Sequence, residues 1–376
     1  MVLAYTELID SFTIASASAW TDYNIFTLKG VPKGAIVEIA LCNAQTGTEQ
    51  TMGVRTDGSA LNRSILIHEA EGGGEVVYTM PVKVHATTGL IECYTTATAN
   101  YFRILGYFTG CDFTEAMATT AISTTGAWTD HDLGANGGLV HSVVISSAKQ
   151  DASATMGIRT NGSALNRYLK VHEPEAGGES GFMFYVKSDV NDVIEYWLEE
   201  GTSKSLIDLG YFDSTVNFVE AWTQINILAD ITWEDHDLSA YLDQDGRIAN
   251  FILTSGEVGV EENIGVRTDL SGLSRYILVH ESESAGGFNN QEFTGYTVSV
   301  VTLSSTGVVE LYAGHFTTDY FWFSGYFKPT AAGPTPGWNK LQYLTEPPTA
   351  GAFNKLKFAS EPPIAGAWNK ILYSTE

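Results

Sequence analysis

Apolar and polar residues alternate along short runs of this chain, and turn residues break the runs at close intervals. From Val76 to Val84 every second position is apolar, the signature of a strand with one buried face. In the first hundred residues the pattern predicts strands at 20–28, 35–42, 52–55, 64–68, 76–85, 90–94 and 101–108, with a further one near 5–14. Lys-Gly, Asp-Gly, Gly-Gly-Gly and Thr-Thr-Gly punctuate the gaps. No segment carries a sustained 3.6-residue stripe with caps, so helices are not expected.

The pattern then repeats. The centre of the unit reads MGVRTDGSALNRSILIHE at 52–69, MGIRTNGSALNRYLKVHE at 156–173 and IGVRTDLSGLSRYILVHE at 264–281. Each unit opens on an aromatic and a glutamate (Tyr5 and Glu7, Phe113 and Glu115, Phe218 and Glu220). That glutamate stands thirteen residues before Trp20, Trp128 or Trp233. The units close on LGYF (105–108), LGYF (209–212) and SGYF (324–327). Self-similarity at this period predicts an all-β chain of three tandem β-sandwich domains, wound as jelly rolls, at 1–112, 113–214 and 215–328.

Composition narrows what such modules can do. The net charge of −24 excludes nucleic acid, whose phosphates need a basic face, and disfavours anionic membrane surfaces. No run approaches the roughly 18 apolar residues of a membrane span, so membrane insertion is not expected. The first residues, MVLAYTELIDSF, lack a basic segment leading into an apolar run, so no secretory signal is expected. Cys42, Cys93 and Cys111 have no counterparts in the other units and read as small buried hydrophobes, not as a disulfide framework.

The sharpest candidate chemistry lies in the shared centre. Arg55, Arg159 and Arg267 each stand thirteen residues before a His-Glu pair: His68 and Glu69, His172 and Glu173, His280 and Glu281. Arg63, Arg167 and Arg275 lie between them. Six of the chain's eight arginines occupy these two positions. One reading is a framework, with an arginine fork pairing Glu or loop carbonyls across a hairpin. The other is a polar groove for a sugar or carboxylate. Adjacent His and Glu on a strand face opposite sides, which disfavours a zinc site built from each pair. Asp130-His131-Asp132 and Asp235-His236-Asp237 are a metal candidate, against which stands a solvated strand-entry turn. Trp197, Tyr312 and Trp322 are expected on strands, in the core or in a row that stacks on sugar rings. No nucleophile motif is present, and neither enzymatic activity nor a cofactor is expected.

After Phe327 the composition shifts. Seven of the ten prolines lie beyond residue 328, and 329–337 reads as a stiff Pro/Gly linker. Three fifteen-residue units follow over 338–376: WNKLQYLTEPP, FNKLKFASEPP and WNKILYSTE. Their short strands are too small to stand alone. They are expected to cover one another or to dock elsewhere through Trp338, Leu341, Tyr343, Phe353, Leu356, Phe358, Trp368, Ile371 and Tyr373.

The tandem WTDHDL, GIRTNGSALNRYLKVHE and LGYF segments, followed by the WNKLQYLTEPP repeats, resemble virion surface or tail-associated proteins of bacteriophages. That resemblance implies a non-enzymatic structural or adhesion role on a virion assembled in the host cytoplasm. It also implies a homo-oligomer, a trimer by analogy, with other virion proteins and host-surface glycans as partners. The alternative is a carbohydrate-binding protein with three equivalent sites.

Overall fold

The computed structural model describes residues 2–70, 76–134, 137–148, 153–172, 179–244, 247–256, 260–280, 294–302 and 306–329, together with the backbone of 356–358 and 371–373. The chain divides into two units, Met1–Lys328 and Pro329–Glu376.

The first repeat runs β1 (Ala4–Phe12), β2 (Thr21–Asn24), α1 (Ile25–Lys29), β3 (Ile36–Asn43), β4 (Gln50–Thr56), β5 (Ser64–Ile67), β6 (Val76–Lys83), β7 (Leu90–Thr95) and β8 (Tyr101–Thr109). The second runs β9 (Phe113–Ile122), β10 (Thr129–Asp132), β11 (Val140–Ser147), β12 (Ala154–Thr160), β13 (Tyr168–Val171), β14 (Ser180–Lys187), β15 (Val193–Leu198) and β16 (Lys204–Phe212). The third runs β17 (Val216–Ile225), β18 (Trp233–Asp237), β19 (Ile248–Ser255), β20 (Glu262–Thr268), β21 (Tyr276–Val279), β22 (Thr294–Val301), β23 (Val308–Ala313) and β24 (Asp319–Pro329).

Each repeat folds into two antiparallel four-stranded sheets. In the first their orders are β1-β8-β3-β6 and β2-β7-β4-β5, and the other two repeats give the same order at the equivalent strands. Consecutive strands thus fall in opposite sheets, except for β4 and β5 and their equivalents, which pair within the second sheet. This is jelly-roll winding.

The two sheets differ in burial, and the difference locates the contacts between repeats. In the second sheet β7 and β15 alternate, with one face in the core and one partly open. In the first sheet β3, β11 and β19 are buried at every residue. A strand covered on both faces needs something packed on its far side. Here that is a neighbouring repeat, because β6, β14 and β22 meet one another along a common axis.

Two local expectations are corrected. The run 20–28 is not one strand. It ends at Asn24, whose side chain accepts from Thr27 N at 2.9 Å and caps the single turn α1, and Gly30 closes that turn in the left-handed conformation. Asp130-His131-Asp132 and Asp235-His236-Asp237 are not strand-entry turns, because they lie within the paired strands β10 and β18.

In the C-terminal unit, β25 (Leu356–Phe358) pairs antiparallel with β26 (Ile371–Tyr373), in the register Leu356 to Tyr373. Trp338, Leu341, Tyr343, Phe353 and Trp368 lie outside the described residues, as do Glu173, Glu281 and the linker beyond Pro329. Among the described residues, no helix is long and apolar enough to cross a membrane.

Candidate functional site: the seams and axis of a closed ring

The two repeated arginines do different work. Arg55 stays within its own repeat. Its Nε and Nη2 donate to the two Glu92 oxygens at 2.8 and 3.2 Å, and its Nη1 donates to Leu61 O at 2.8 Å. Its guanidinium lies 4.2 Å over the Trp20 ring. Arg267 makes the same set with Glu310, Leu273 O and Trp233, and Arg159 makes it with Glu195, Leu165 O and Trp128 save for the Nη2 bond. Each staple ties the Arg-Thr-Asp/Asn loop to the next strand and to the tryptophan that opens the sheet.

The second arginine leaves its repeat. Arg63, Arg167 and Arg275 are among the largest fully buried side chains. Arg63 Nη1 pairs with Glu115 of the second repeat at 3.2 Å, and its Nη2 donates to Leu209 O at 2.8 Å. Arg167 Nη1 donates to Glu220 of the third repeat at 2.5 Å, and its Nη2 to Ser324 O at 3.3 Å. Arg275 returns to the first repeat. It faces Glu7 at 3.7 Å and donates to Leu105 O through Nη2 at 2.6 Å and Nε at 2.9 Å. The repeats therefore close head to tail into a ring of three.

The opening glutamates complete each seam. Glu115 also accepts from Thr56 N at 3.0 Å, Glu220 from Thr160 N at 2.8 Å, and Glu7 from Thr268 N at 2.9 Å. The closing motifs supply the carbonyls. Ladder pairing skips Leu105, Leu209 and Ser324, which sit at β-bulges beside Gly106, Gly210 and Gly325. A bulge leaves its extra residue unpaired in the ladder, which frees that carbonyl for the neighbour's arginine. Gly210 has φ +129°, and a Cβ there would sit 2.2 Å from Thr114 O. That is why the motif needs glycine.

On the axis, equivalent side chains from all three repeats meet. Phe108, Phe212 and Phe327 close the LGYF and SGYF motifs and pack with centroids 5.3, 5.0 and 5.7 Å apart. His68, His172 and His280 gather elsewhere on it, 5.6, 6.1 and 5.5 Å apart, each no more than 1% exposed. The three histidines do not lie on strands as expected. The strands end at Ile67, Val171 and Val279, and the histidines turn inward just beyond. Glu69 is buried as well. Burial first, then His172 and His280, hold the His68 imidazole down at a pKa of about 3.

The axis also carries one asymmetric group. Glu38 is fully buried and accepts from Tyr5 Oη at 2.6 Å, Tyr185 Oη at 2.9 Å, and Ser299 Oγ and N at 2.7 and 3.1 Å, so that one residue from each repeat donates to it. Burial, then the Glu38 charge, raises both tyrosines well above their ordinary values.

Asp235 comes within 4.8 Å, ligand atom to ligand atom, of Asp269 and Glu310, but Glu310 is already paired with Arg267. Trp197 stacks on Tyr168 at 5.1 Å and Tyr312 on Tyr276 at 5.0 Å, while Trp322 stacks on Trp222 at 5.0 Å. Trp197, Tyr312 and Trp322 are all half-buried. Cys42 and Cys93 are buried thiols, and burial pushes the Cys111 thiol up to about 12.

Sequence reasoning missed several partners. Glu92, Glu195 and Glu310 recur as an apolar-Glu pair on the same strand of each repeat, a signal that was available. The opening glutamates carry one local signal, their fixed spacing of thirteen residues from the tryptophan of each unit.

No family model matches the chain, and no curated protein does. Among solved structures it is similar to the tandem CBM22-1–CBM22-2 domains of Paenibacillus barcinonensis Xyn10C, at 10% identity over 59% of this chain and 94% of that one, with a TM-score of 0.16. It is similar to a chain of the lipid-containing bacteriophage PM2, at 11% identity over 86% and 100%, TM-score 0.15. A third is the triple jelly roll fold of an archaeal virus turret assembly, at 10% identity over 86% and 91%, TM-score 0.18. Likeness this distant carries no functional argument. The strand order above is what identifies the jelly roll.

Proposed function

We propose that this chain is a non-enzymatic structural protein of a virus particle, a building block in which one polypeptide supplies a whole three-fold unit. The observation that carries this reading is the closure of the ring: three equivalent seams, the third returning from Arg275 to Glu7. Head-to-tail contacts of one type give either an open filament or a closed ring, and closure after three gives a tile with three related outer faces. Such a tile suits a shell or spike. In the same reading, residues 338–376 attach the tile to further copies or to other virion proteins.

The test is to compare the full chain with a version ending at Lys328, which keeps the ring unit and its core. Mass photometry and incorporation into particles are the readouts. The reading expects the shortened chain to fold and to lose assembly. Unchanged assembled mass and unchanged incorporation would sink the role given to the C-terminal repeats.

A second reading, glycan binding, is favoured by the stacked pairs Tyr168–Trp197 and Tyr276–Tyr312 on corresponding sheets. Tyr168 is 38% exposed, which leaves aromatic surface for a sugar ring. A glycan array distinguishes the two. Binding that disappears with Tyr168→Ala would favour this reading, and a blank array would retire it.

A further inference from the structure

We propose that His68, His172 and His280 form a three-imidazole site for a divalent transition metal of the zinc class, on the axis where the three repeats meet. The three residues occupy the same position in each repeat and come from three separate strand ends. Each is at most 1% exposed. Their ring centroids form a nearly equilateral triangle with sides of 5.6, 6.1 and 5.5 Å. The centre of that triangle lies about 3.3 Å from every ring, as the circumradius of those sides. Zinc bound to histidine needs about 2.0–2.1 Å from metal to nitrogen, plus about 1.2 Å from nitrogen to ring centre, so about 3.2 Å. The backbone therefore sets the three ring centres about as far from one point as the ring centres of three zinc-bound imidazoles would be.

What remains is the aim of the rings. Among the described residues, the cluster with three ligand atoms mutually within 4.8 Å is Asp235, Asp269 and Glu310, so the histidine nitrogens do not yet converge. Turning an imidazole about χ2 re-aims a nitrogen without moving the backbone, and that torsion is broad. A cavity of about 10 Å³ borders His172, with Val76, Ser180 and Thr294 from the three axial strands around it. It has room for about one water beside the His172 member of the trio. Imidazole suits zinc, nickel, cobalt and copper, and not calcium or magnesium. The carboxylate cluster on the third repeat has the opposite preference, which allows the two to be told apart.

Untagged full-length protein, stripped with chelator, is titrated with Zn2+ and with Co2+. The proposal expects near-stoichiometric binding, a raised Tm, and the intense visible bands of four-coordinate Co2+. X-ray absorption on the zinc form of the unaltered chain should count three imidazole ligands. His172→Phe, which keeps the packing volume but cannot ligate, should weaken Zn2+ binding by at least about 100-fold. Asp235→Asn should leave binding unchanged. A ligand shell of oxygen alone, an octahedral Co2+ spectrum, or no binding would each overturn the site. The absorption measurement decides even if His172→Phe fails to fold, and none of these results depends on particle incorporation.

Discussion

Arg275 closes the ring, and replacing it with methionine isolates what closure is worth. The guanidinium donates to Leu105 O, Val266 O, Ser299 O and Tyr5 Oη and faces the Glu7 carboxylate, which is 7% exposed. Methionine keeps most of the volume but leaves three buried carbonyls without this donor. Each orphaned acceptor costs about 1 kcal/mol or more. Stranding a buried carboxylate without its counter-charge costs about 3–5 kcal/mol, though Thr268 still donates to Glu7. These costs overlap, so a total of about 4–6 kcal/mol is expected. Adding Glu7→Gln removes the stranded charge and should recover about 1–2 kcal/mol of the loss. Urea unfolding followed by tryptophan fluorescence measures the loss. Native-state hydrogen exchange should show protection falling at Leu105 and Ser299 while the seam at Glu220 stays protected. A loss under about 1.5 kcal/mol, or a double variant less stable than the single one, would refute the claim that this arginine seals the ring.

Other outcomes follow from the same geometry. Gly210→Ala should cost about 2–4 kcal/mol, through the strained φ and the clash with Thr114 O, whereas Gly162→Ala, with nothing within 4 Å, should cost about 1 kcal/mol; thermal melts compare the two. Asp319 is buried and desolvation lifts its carboxyl to about 8, so the fold favours the protonated acid. Its contribution is fully present below about pH 4, where the unfolded chain is also protonated, and is lost as pH rises toward 8. Asp319→Asn keeps an acceptor for His315 N and should flatten that slope, so equal slopes of Tm against pH in both proteins would contradict the assignment. Arg159→Lys, which cannot reproduce the Nε bond to Glu195, the Nη1 bond to Leu165 O and the stacking on Trp128 together, should cost about 1–2 kcal/mol by urea titration and leave the ring closed.

Much of each sandwich was legible because strands and turns are local. Alternation at 76–84 and the spacing of Gly-containing turns follow from side-chain period and backbone sterics. The turn α1 was not legible, since five residues carry no periodicity and only the Asn24 and Gly30 caps mark it. The site was half legible. The repeated arginines stood out by count, but whether an arginine reaches across a hairpin or into the next repeat depends on how the repeats pack. No local pattern records that. One clue was stoichiometric: each repeat carries two recurring arginines and two recurring strand glutamates, Glu7 and Glu92 in the first. A buried charge needs a partner, so two classes of pair were implied. The His-Glu pair misleads because the apolar alternation before it extends the strand pattern past the point where the strand ends. Once β5 ends at Ile67 the opposite-face rule no longer applies, and His68 is free to reach the axis.

Joining three repeats in one chain permits an axis that three identical subunits could not build. In a homotrimer every group near the axis occurs three times. A glutamate at the Glu38 position would then bring three buried carboxylates together, each raising the cost of the others. Here β3 carries Glu38, whereas β11 and β19 carry Ser142 and Asn250 at the equivalent ladder position beside the bulge glycine. One carboxylate collects donors from all three repeats, and the two equivalent positions carry no charge. The donors are just as unequal, with Tyr185 and Ser299 standing where the first repeat has Pro81. Glu38→Gln tests this division of labour. An amide accepts through one oxygen only and brings two donors of its own, so at least one of Tyr5, Tyr185 and Ser299 loses its partner. The expected cost is about 2–3 kcal/mol, and the change should lower the Tyr5 and Tyr185 pKa values toward the ordinary range. A spectrophotometric tyrosine titration that is identical in the two proteins would show that the carboxylate is not what binds the three repeats at this point.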